Sequence, residues 1–347
     1  MKYIAAFLLL GTACKKAPEA FTGDSSSQGS TANQSLVEEA NQLWEDRGNK
    51  ESLAQALAKY EEVFKGDLTN RDVGYKLVRG WYFMGDAYES ELENKLAAWE
   101  KAISFGEACL TINTEFKATL EKGGEKGEAI AAATVEDVPC TYWTASALGK
   151  WAKASGIAVT LKHIPTAKAY ITRVGELDND YFYGAVDRYW GAYYSGLPSF
   201  AGQDLNKSKG HFDNSIQIAP GNLANRVLVA DYWAVKSQDI ATFDENIQYV
   251  MAADTRALIP ELQAENEAEK KKAAALWEKR GELFLNPPEV TPLQEQPPAY
   301  EEPVEEVEEE VEEEVEEEVE NTEESTETPA EGGSEENSEE NSEESAE

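Results

Sequence analysis

Histidine, cysteine and methionine are scarce in this chain. Its 347 residues include two histidines, three cysteines and three methionines. The two histidines, His163 and His211, lie far apart, and neither has cysteines or paired carboxylates at the spacing of metal ligands. The sequence also lacks a G-x-S-x-G elbow, a P-loop, a glycine-rich dinucleotide fingerprint and an H-E-x-x-H motif. We therefore predict no metal site, no cofactor and no catalytic residue, and a protein that is not an enzyme.

Lysine and arginine are absent from the segment Glu289–Glu347, which contains 27 carboxylates. This segment holds most of the net charge of −36, so the body before it is only mildly acidic. Nucleic acid binding needs clustered lysine and arginine, which excludes nucleic acid as a partner. Valines recur at helical spacing among these glutamates, but like charges four residues apart repel, and we predict a disordered acidic tail over residues 287–347. Capture of a divalent cation or a basic partner is the alternative interpretation.

The start of the chain lacks an apolar run long enough to span a bilayer, which takes about 20 residues. A lysine is followed by the apolar stretch Ile4–Leu10 and then by Gly-Thr-Ala before Cys14, the pattern of an export signal. This end resembles the lipobox of bacterial lipoproteins, whose cysteine is acylated, and an ordinary cleaved signal is the alternative. We predict a signal peptide over residues 1–13, a membrane anchor on Cys14 and a flexible tether over residues 14–35. Lys15 favours the outer membrane over the inner membrane, with the body facing the periplasm.

Alternating runs of valine, isoleucine and threonine and tight Asn-Gly or Asp-Gly turns are missing from residues 36–286, which excludes a sheet-based fold. Alanine, leucine, glutamate, lysine and aromatic residues instead recur at spacings of three and four, as in amphipathic helices. We predict one all-α domain. Its predicted helices are residues 35–47, 50–65, 71–89, 92–112, 141–155, 164–175, 180–196, 205–217, 222–236, 240–253 and 261–284.

Two prolines mark the starts of predicted helices, and three lysines give the last predicted helix a polar surface. Pro165 and Pro260 stand where the start of a helix tolerates proline. In the last helix, three glutamates, Glu265, Glu267 and Glu269, precede Lys270, Lys271 and Lys272, and we interpret these lysines as a polar surface that keeps the protein soluble.

Several helical segments match the tetratricopeptide pattern, in which two paired helices repeat along the chain. The matches are incomplete, because Lys101 occupies a position that the pattern gives to an aromatic residue and some loops are too long. We therefore predict an α-solenoid of degenerate tetratricopeptide-like helical hairpins. The first-helix positions are Trp81, Met84, Gly85 and Tyr88, and the second-helix positions are Ser208, Phe212, Ser215 and Pro220.

Cys109 and Cys140 remain once Cys14 is assigned to acylation. Disulfides persist in an exported protein, and a bridge between these two cysteines would close a loop of roughly 30 residues. On the chain-entropy model, such a loop would contribute about 3 kcal/mol to stability. Two buried free thiols are the alternative.

Aromatic residues are concentrated in the middle of the body. Large rings fill the gaps between stacked helices, so core packing is the first interpretation of any single ring. Tryptophan and tyrosine also line concave binding sites, where a few polar groups accompany them. The candidate ligand-lining residues are Tyr142, Trp143, Trp151, Asp187, Arg188, Trp190, Tyr193, Tyr194, Tyr232 and Trp233.

The body resembles the T-component lipoproteins associated with TRAP transporters, which are helical-repeat proteins of the periplasm. The resemblance covers most of residues 36–286 and rests on short motifs. Among them are Asp137-Val138-Pro139, Tyr142-Trp143, Leu148-Gly149, Tyr193-Tyr194, Leu197-Pro198 and the stretch Ala230 to Trp233.

The resemblance implies a function in solute uptake. It implies a water-filled or apolar pore among the repeats and self-association into a small ring. It further implies partnership with a periplasmic solute-binding protein that passes small hydrophobic molecules to an ion-driven importer. It supplies no residue-level binding motif. The alternative hypothesis is a protein–protein interaction scaffold of the envelope at the outer membrane, since a helical solenoid presents an extended concave surface.

Overall fold

A computed structural model describes residue 20, residues 31–285 and residue 287 of the chain. Every regular element in this part is a helix, which confirms the predicted all-α class. The predicted signal peptide, Cys14, most of the tether and the acidic tail beyond Pro287 lie outside the described residues. The helices are α1 Thr31–Glu45, α2 Lys50–Gly66, α3 Arg71–Phe83, α4 Leu92–Leu110, α5 Thr114–Glu121, α6 Lys126–Ala129, α7 Val138–Ser155, α8 Ile157–Leu177, α9 Tyr181–Gly196, α10 Leu205–Ile218, α11 Leu223–Leu228, α12 Val235–Ser237, α13 Ile240–Ala252, α14 Gln263–Glu278 and α15 Arg280–Leu283.

Asparagine and aspartate side chains begin many of these helices. The side chains of Asn49, Asn70 and Asn113 accept hydrogen bonds from backbone N–H groups in the first turns of α2, α3 and α5. Asp204 does the same for α10. Such caps satisfy donors that the helix itself leaves without an acceptor, so a new helix starts within a few residues of the previous one. Consecutive helices consequently pack against each other, as α1 with α2, α3 with α4, α7 with α8 and α9 with α10.

Several predicted helix boundaries were wrong. Pro165 lies inside α8 and not at its start, because the helix already begins at Ile157, directly after Gly156 with a φ of +107°. Helix α7 begins at Val138, with a proline in its first turn, three residues before the predicted start. The segment between α4 and α7 contains the short helices α5 and α6, for which no helix was predicted.

Two predicted helices are interrupted by π-helical segments. Met84–Tyr88 follows α3 as a π-helix, and Val229–Ala234 forms another between α11 and α12. A π-helical turn changes the direction of the side chains that follow it and is frequent at functional sites. Periodicity in the sequence does not distinguish such a turn from an ordinary α-helix.

The first turn of α9 is left-handed. Phe182, Tyr183 and Gly184 have φ values of +47°, +58° and +73°, a region that residues other than glycine rarely adopt. Contacts hold the turn in place, since the Phe182 ring packs edge-on against Trp143 with ring centroids 5.1 Å apart. The Tyr183 hydroxyl donates a hydrogen bond to the carboxylate of Glu261 over 2.6 Å. The helix predicted from residue 180 was therefore wrong in its first turn.

Helix α14 packs back against the first helices of the chain. Ala264 and Ala268 join the apolar cluster that α1 and α2 form around Trp44. Lys272 pairs with Asp86 at 2.6 Å, and the Lys270 ammonium donates to the carbonyl of Ala253. The interpretation of these two lysines as a solubility feature was wrong, because both have partners within the fold.

Cys109, in the last turn of α4, and Cys140, in the first turn of α7, form a disulfide with Cα atoms 6.2 Å apart. Both residues are fully buried. The bond joins the two ends of the segment that contains α5 and α6, across a sequence separation of 31 residues.

Replacing both cysteines by alanine should lower the free energy of unfolding by about 3 kcal/mol, because the unfolded chain regains the freedom of the closed loop. Urea unfolding of the wild type and the double variant, each under non-reducing conditions, measures this difference. The same double variant should be insensitive to reductant. A thiol count by mass spectrometry that is the same with and without reductant in the wild type would show that the bond does not form.

Candidate ligand-binding cavity

A cavity of about 390 Å³ lies among the helices of the body. Residues of α3, α7, α8, α9, α11 and α14 surround it, together with residues of both π-helical segments. This volume falls in the range of small-molecule sites, about 300–1,000 Å³. Apolar side chains of the wall include Leu148, Ile164, Leu197, Val227, Leu228 and Leu276.

One side of the wall carries an ion-pair cluster centred on Asp86, which the first π-helical segment presents to the cavity. The Asp86 carboxylate accepts hydrogen bonds from Lys150 and Lys272, each at 2.6 Å, and Lys272 also pairs with Glu269. Burial opposes ionisation of Asp86, but the two ammonium groups outweigh it and hold its pKa well below the usual range. Burial also opposes the charged form of Lys150 and by itself would lower its pKa. The Asp86 carboxylate outweighs this effect and holds the pKa of Lys150 well above its ordinary value. These groups therefore remain charged at neutral pH and compensate one another.

The other polar side of the wall is formed by Arg188 of α9, which is only 7% exposed. Its Nη1 donates hydrogen bonds to the carbonyl of Tyr183 at 3.1 Å and to the amide oxygen of Asn225 at 3.0 Å. Its Nη2 donates to the hydroxyl of Tyr142 at 3.2 Å. The left-handed turn at the start of α9 thus supplies one of three acceptors, and all three are neutral.

Lysines and tyrosines also contribute to the cavity wall. The Lys153 ammonium lies 3.7 Å from the centre of the Tyr232 ring, a cation–π contact. Lys279 is an exposed residue of the cavity wall. Tyr189 and Tyr193 of α9 also line the cavity. Burial raises the pKa of Tyr189 far above its usual value, so its hydroxyl stays neutral and can donate a hydrogen bond.

The ten candidate ligand-lining residues separate into three groups. Tyr142, Arg188, Tyr193 and Tyr232 lie in the cavity wall. Trp143, Trp151 and Trp233 lie elsewhere. Trp143 is buried against Tyr82 and Phe182, the Trp151 indole donates to Glu100 at 2.9 Å, and the Trp233 indole donates to the carbonyl of Leu205 at 2.8 Å.

Asp187, Trp190 and Tyr194 form a cluster around His211 and are not among the cavity-lining residues. Asp187 lies 2.7 Å from Nδ1 of His211 and also accepts a hydrogen bond from Asn214. The His211 ring stacks on Tyr194 with an angle of 6° between the planes. These residues lie on a different face of α9 from the cavity-lining residues Arg188 and Ala192, because side chains of an α-helix turn by about 100° from one residue to the next.

Sequence reasoning missed Tyr82, Lys150 and the whole Asp86 cluster. Ser146, Gly149 and Lys153 follow Tyr142 at helical spacing, so the cavity face of α7 could have been extended from that residue. Lys272 pairs with Asp86 across 186 residues, and no local pattern carries that information.

Among the residues that the structure describes, no group of three histidine, cysteine, aspartate or glutamate side chains is placed to hold a metal ion. Within the same residues, no helix combines the length and the apolar character needed to cross a membrane.

Comparison with known families gives a match to the body of the chain. Residues 88–284, more than half of the chain, match the family model described as TRAP transporter T-component. This stretch includes the cavity-lining parts of α7, α8, α9, α11 and α14. A search of curated proteins returns no match.

Proposed function

Since the chain belongs to the TRAP transporter T-component family, we propose that it is a transporter-associated binding component that holds a small, largely apolar molecule in its cavity. The observation that supports this function is the cavity itself, a space of about 390 Å³ with apolar walls and a few convergent polar groups. In this proposal the protein acts by binding and docking and carries out no catalysis.

The proposal includes the place where the protein works. Cys14 anchors it by a lipid, the described body faces the periplasm, and the outer membrane is the preferred location. The basic and apolar start of the chain and the small residues before Cys14 support this part. A periplasmic solute-binding protein is the proposed partner, because a component with a small-molecule cavity needs a carrier to receive or deliver its ligand.

The proposal also covers the architecture and assembly of the body. Consecutive helices pack in pairs, which supports a solenoid of degenerate tetratricopeptide-like hairpins. The resemblance to the family supports self-association into a small homo-oligomer. The acidic tail, residues 287–347, serves as a solvated spacer in this arrangement.

Filling the cavity should weaken ligand binding. Ala192 of α9 lines the cavity, and Ala192→Trp places a large ring there. The test uses the full-length lipidated protein in lipid nanodiscs and the neutral apolar dye N-phenyl-1-naphthylamine, with the signal of empty nanodiscs subtracted. We expect the variant to bind the dye at least about tenfold more weakly than the wild type, since the space for an apolar ligand is lost.

The matched control is Ala257→Trp, which adds the same ring at an exposed position outside the cavity wall. This control should bind the dye like the wild type. Equal binding by Ala192→Trp and the wild type would refute the cavity as the binding site. Crosslinking in intact envelopes then tests the partner. Recovery of a solute-binding protein supports the proposal, whereas recovery of envelope assembly proteins alone supports the scaffold hypothesis.

A further inference from the structure

Arg188 is a buried cation that has no acidic partner among the described residues. Its three hydrogen bonds go to a carbonyl, an amide and a hydroxyl. The neighbouring carboxylate, Asp187, is engaged by His211 and Asn214 instead. Buried charges in proteins are nearly always paired, because the cost of removing them from water is otherwise uncompensated. Arg188 is therefore a buried cation without a counter-ion, and it lies in the wall of the cavity.

The donors that remain on Arg188 have the geometry of an anion site. A guanidinium group has five N–H donors, two on Nη1, two on Nη2 and one on Nε. The two Nη1 donors are used for Tyr183 and Asn225, and one Nη2 donor is used for Tyr142. The Nε donor and one Nη2 donor have no partner among the described residues. In a guanidinium group, Nε–H and one Nη2–H point side by side from the same edge of the plane. This edge matches the two oxygens of a carboxylate.

The remaining charges of the cavity also favour an anion. Asp86 and Glu269 are compensated by Lys150 and Lys272. The other cationic lining residues are Arg188, Lys153 and Lys279, against the single carboxylate of Asp231. The wall thus has an excess of positive charge in a chain whose net charge is −36. A cleft lined by one sign of charge raises the local concentration of ligands of the opposite sign.

We infer that the cavity binds an amphipathic monocarboxylate, with its acid group on Arg188 and the Tyr142 hydroxyl and its apolar body along Leu148, Val227 and Leu276. This inference rests on the proposed function and adds the charge and polarity of the ligand to it. The apolar walls accept a hydrocarbon or aromatic body, and the single unpaired guanidinium accepts one acid group.

The test compares three probes of the same length and different charge: octanoate, 1-octanol and octylammonium. Each displaces N-phenyl-1-naphthylamine from the full-length protein in lipid nanodiscs, with empty nanodiscs as the blank. We expect octanoate to displace the dye at a concentration at least about tenfold lower than 1-octanol does, and octylammonium to be the weakest, since a hydrogen bond to a charged group adds to apolar burial.

Substitution of Arg188 should remove this preference. In Arg188→Met, octanoate and 1-octanol should displace the dye at concentrations within about twofold of each other, because the charge that separates them is gone. Arg188→Lys should keep an intermediate preference, since an ammonium attracts the acid group but has no planar fork. Displacement by 1-octanol shows that the cavity of each variant is intact. Arg256→Met, at an exposed arginine outside the cavity, should keep the wild-type preference.

Equal displacement by octanoate and 1-octanol in the wild type would overturn the inference and leave cavity binding in place. A preference for octanoate that persists in Arg188→Met would also overturn it, because the anchor would then lie elsewhere. Failure of the wild type to bind the dye and all three probes would instead refute the proposed function, and this inference with it.

Discussion

Replacing Glu265 by glutamine should lower the free energy of unfolding at pH 7 by about 3–5 kcal/mol, the cost of breaking a buried ion pair by removing one partner. The Glu265 carboxylate accepts hydrogen bonds from Arg47 at 3.0 and 3.1 Å and from Arg79 at 2.7 Å. The two arginine side chains are only 7% and 9% exposed. Arginine cannot lose its proton at ordinary pH, so the variant would leave two buried cations beside a neutral amide.

The pH dependence of this loss has a defined direction. Burial raises the pKa of Glu265, but Arg79 and Arg47 outweigh burial and lower it below the ordinary value. A carboxyl group whose pKa is lowered by folding stabilises the protein fully at pH values above its unfolded-state pKa, about 4.3. This stabilisation is lost as the pH falls through the folded-state pKa. The difference in the free energy of unfolding between the wild type and Glu265→Gln should therefore be largest at neutral pH and decrease below about pH 4.

Urea unfolding of both proteins between pH 3 and pH 8 measures the two effects. Glu278→Gln is the matched control, since Glu278 lies in the same helix and is exposed, and surface substitutions change stability by about 0.5 kcal/mol or less. A loss below about 1 kcal/mol for Glu265→Gln at pH 7, the value of an exposed pair, would show that α14 is not held to the first helices in this way.

The sequence was sufficient to predict the all-α fold class, because the signals that determine helices are local. Helical periodicity and capping residues such as Asn49 and Asn113 act within one or two turns, and both are visible without a structure. The π-helical segments and the left-handed turn at Phe182 and Tyr183 were not predictable from local preference. Contacts with distant elements impose them, among them the hydrogen bond between Tyr183 and Glu261.

The candidate cavity was predictable only in part, for the same reason. The concentration of aromatic residues in α7 and α9 indicated Tyr142 and Tyr193, which line the cavity. It did not separate the two faces of α9, so Trp190 and Tyr194 were grouped with them although they lie around His211. A choice between faces requires knowing which helices pack on each side of α9. His211 of α10 lies beside Asp187, whereas Tyr142 of α7 and Asn225 of α11 lie beside Arg188, and no local pattern carries that information.

Replacing Asp86 by asparagine should lower the free energy of unfolding at pH 7 by about 3 kcal/mol, near the low end for a buried ion pair. Lys150 would lose its only carboxylate partner among the described residues, whereas Lys272 would keep Glu269. The low end applies because the two lysine side chains are 27% and 31% exposed, so water solvates part of each charge. An unpaired buried lysine can also shed its proton, which limits the loss further.

The loss from Asp86→Asn should depend on pH in the alkaline range. In the wild type, Asp86 raises the pKa of Lys150 and Lys272, so their contribution is present below the unfolded-state value, about 10.4, and is lost as the pH rises through the folded-state pKa. In the variant, burial without a counter-ion should depress the pKa of Lys150, so stability should rise with pH until the lysine is neutral in both states. Urea unfolding between pH 6 and pH 10 should therefore show the gap between the two proteins closing from neutral to alkaline pH.

The double variant Asp86→Asn with Lys150→Met isolates the charge effect from the packing effect. Removing both partners removes the unpaired charge, so the double variant should be more stable than Asp86→Asn alone, with a coupling energy of about 1–3 kcal/mol in the double-mutant cycle. Additive losses from the two single variants would show that Asp86 and Lys150 do not pair in the folded protein. Since both residues line the cavity, coupling would also show that this part of the wall is charged yet internally compensated, which leaves Arg188 as the buried cation available to a ligand.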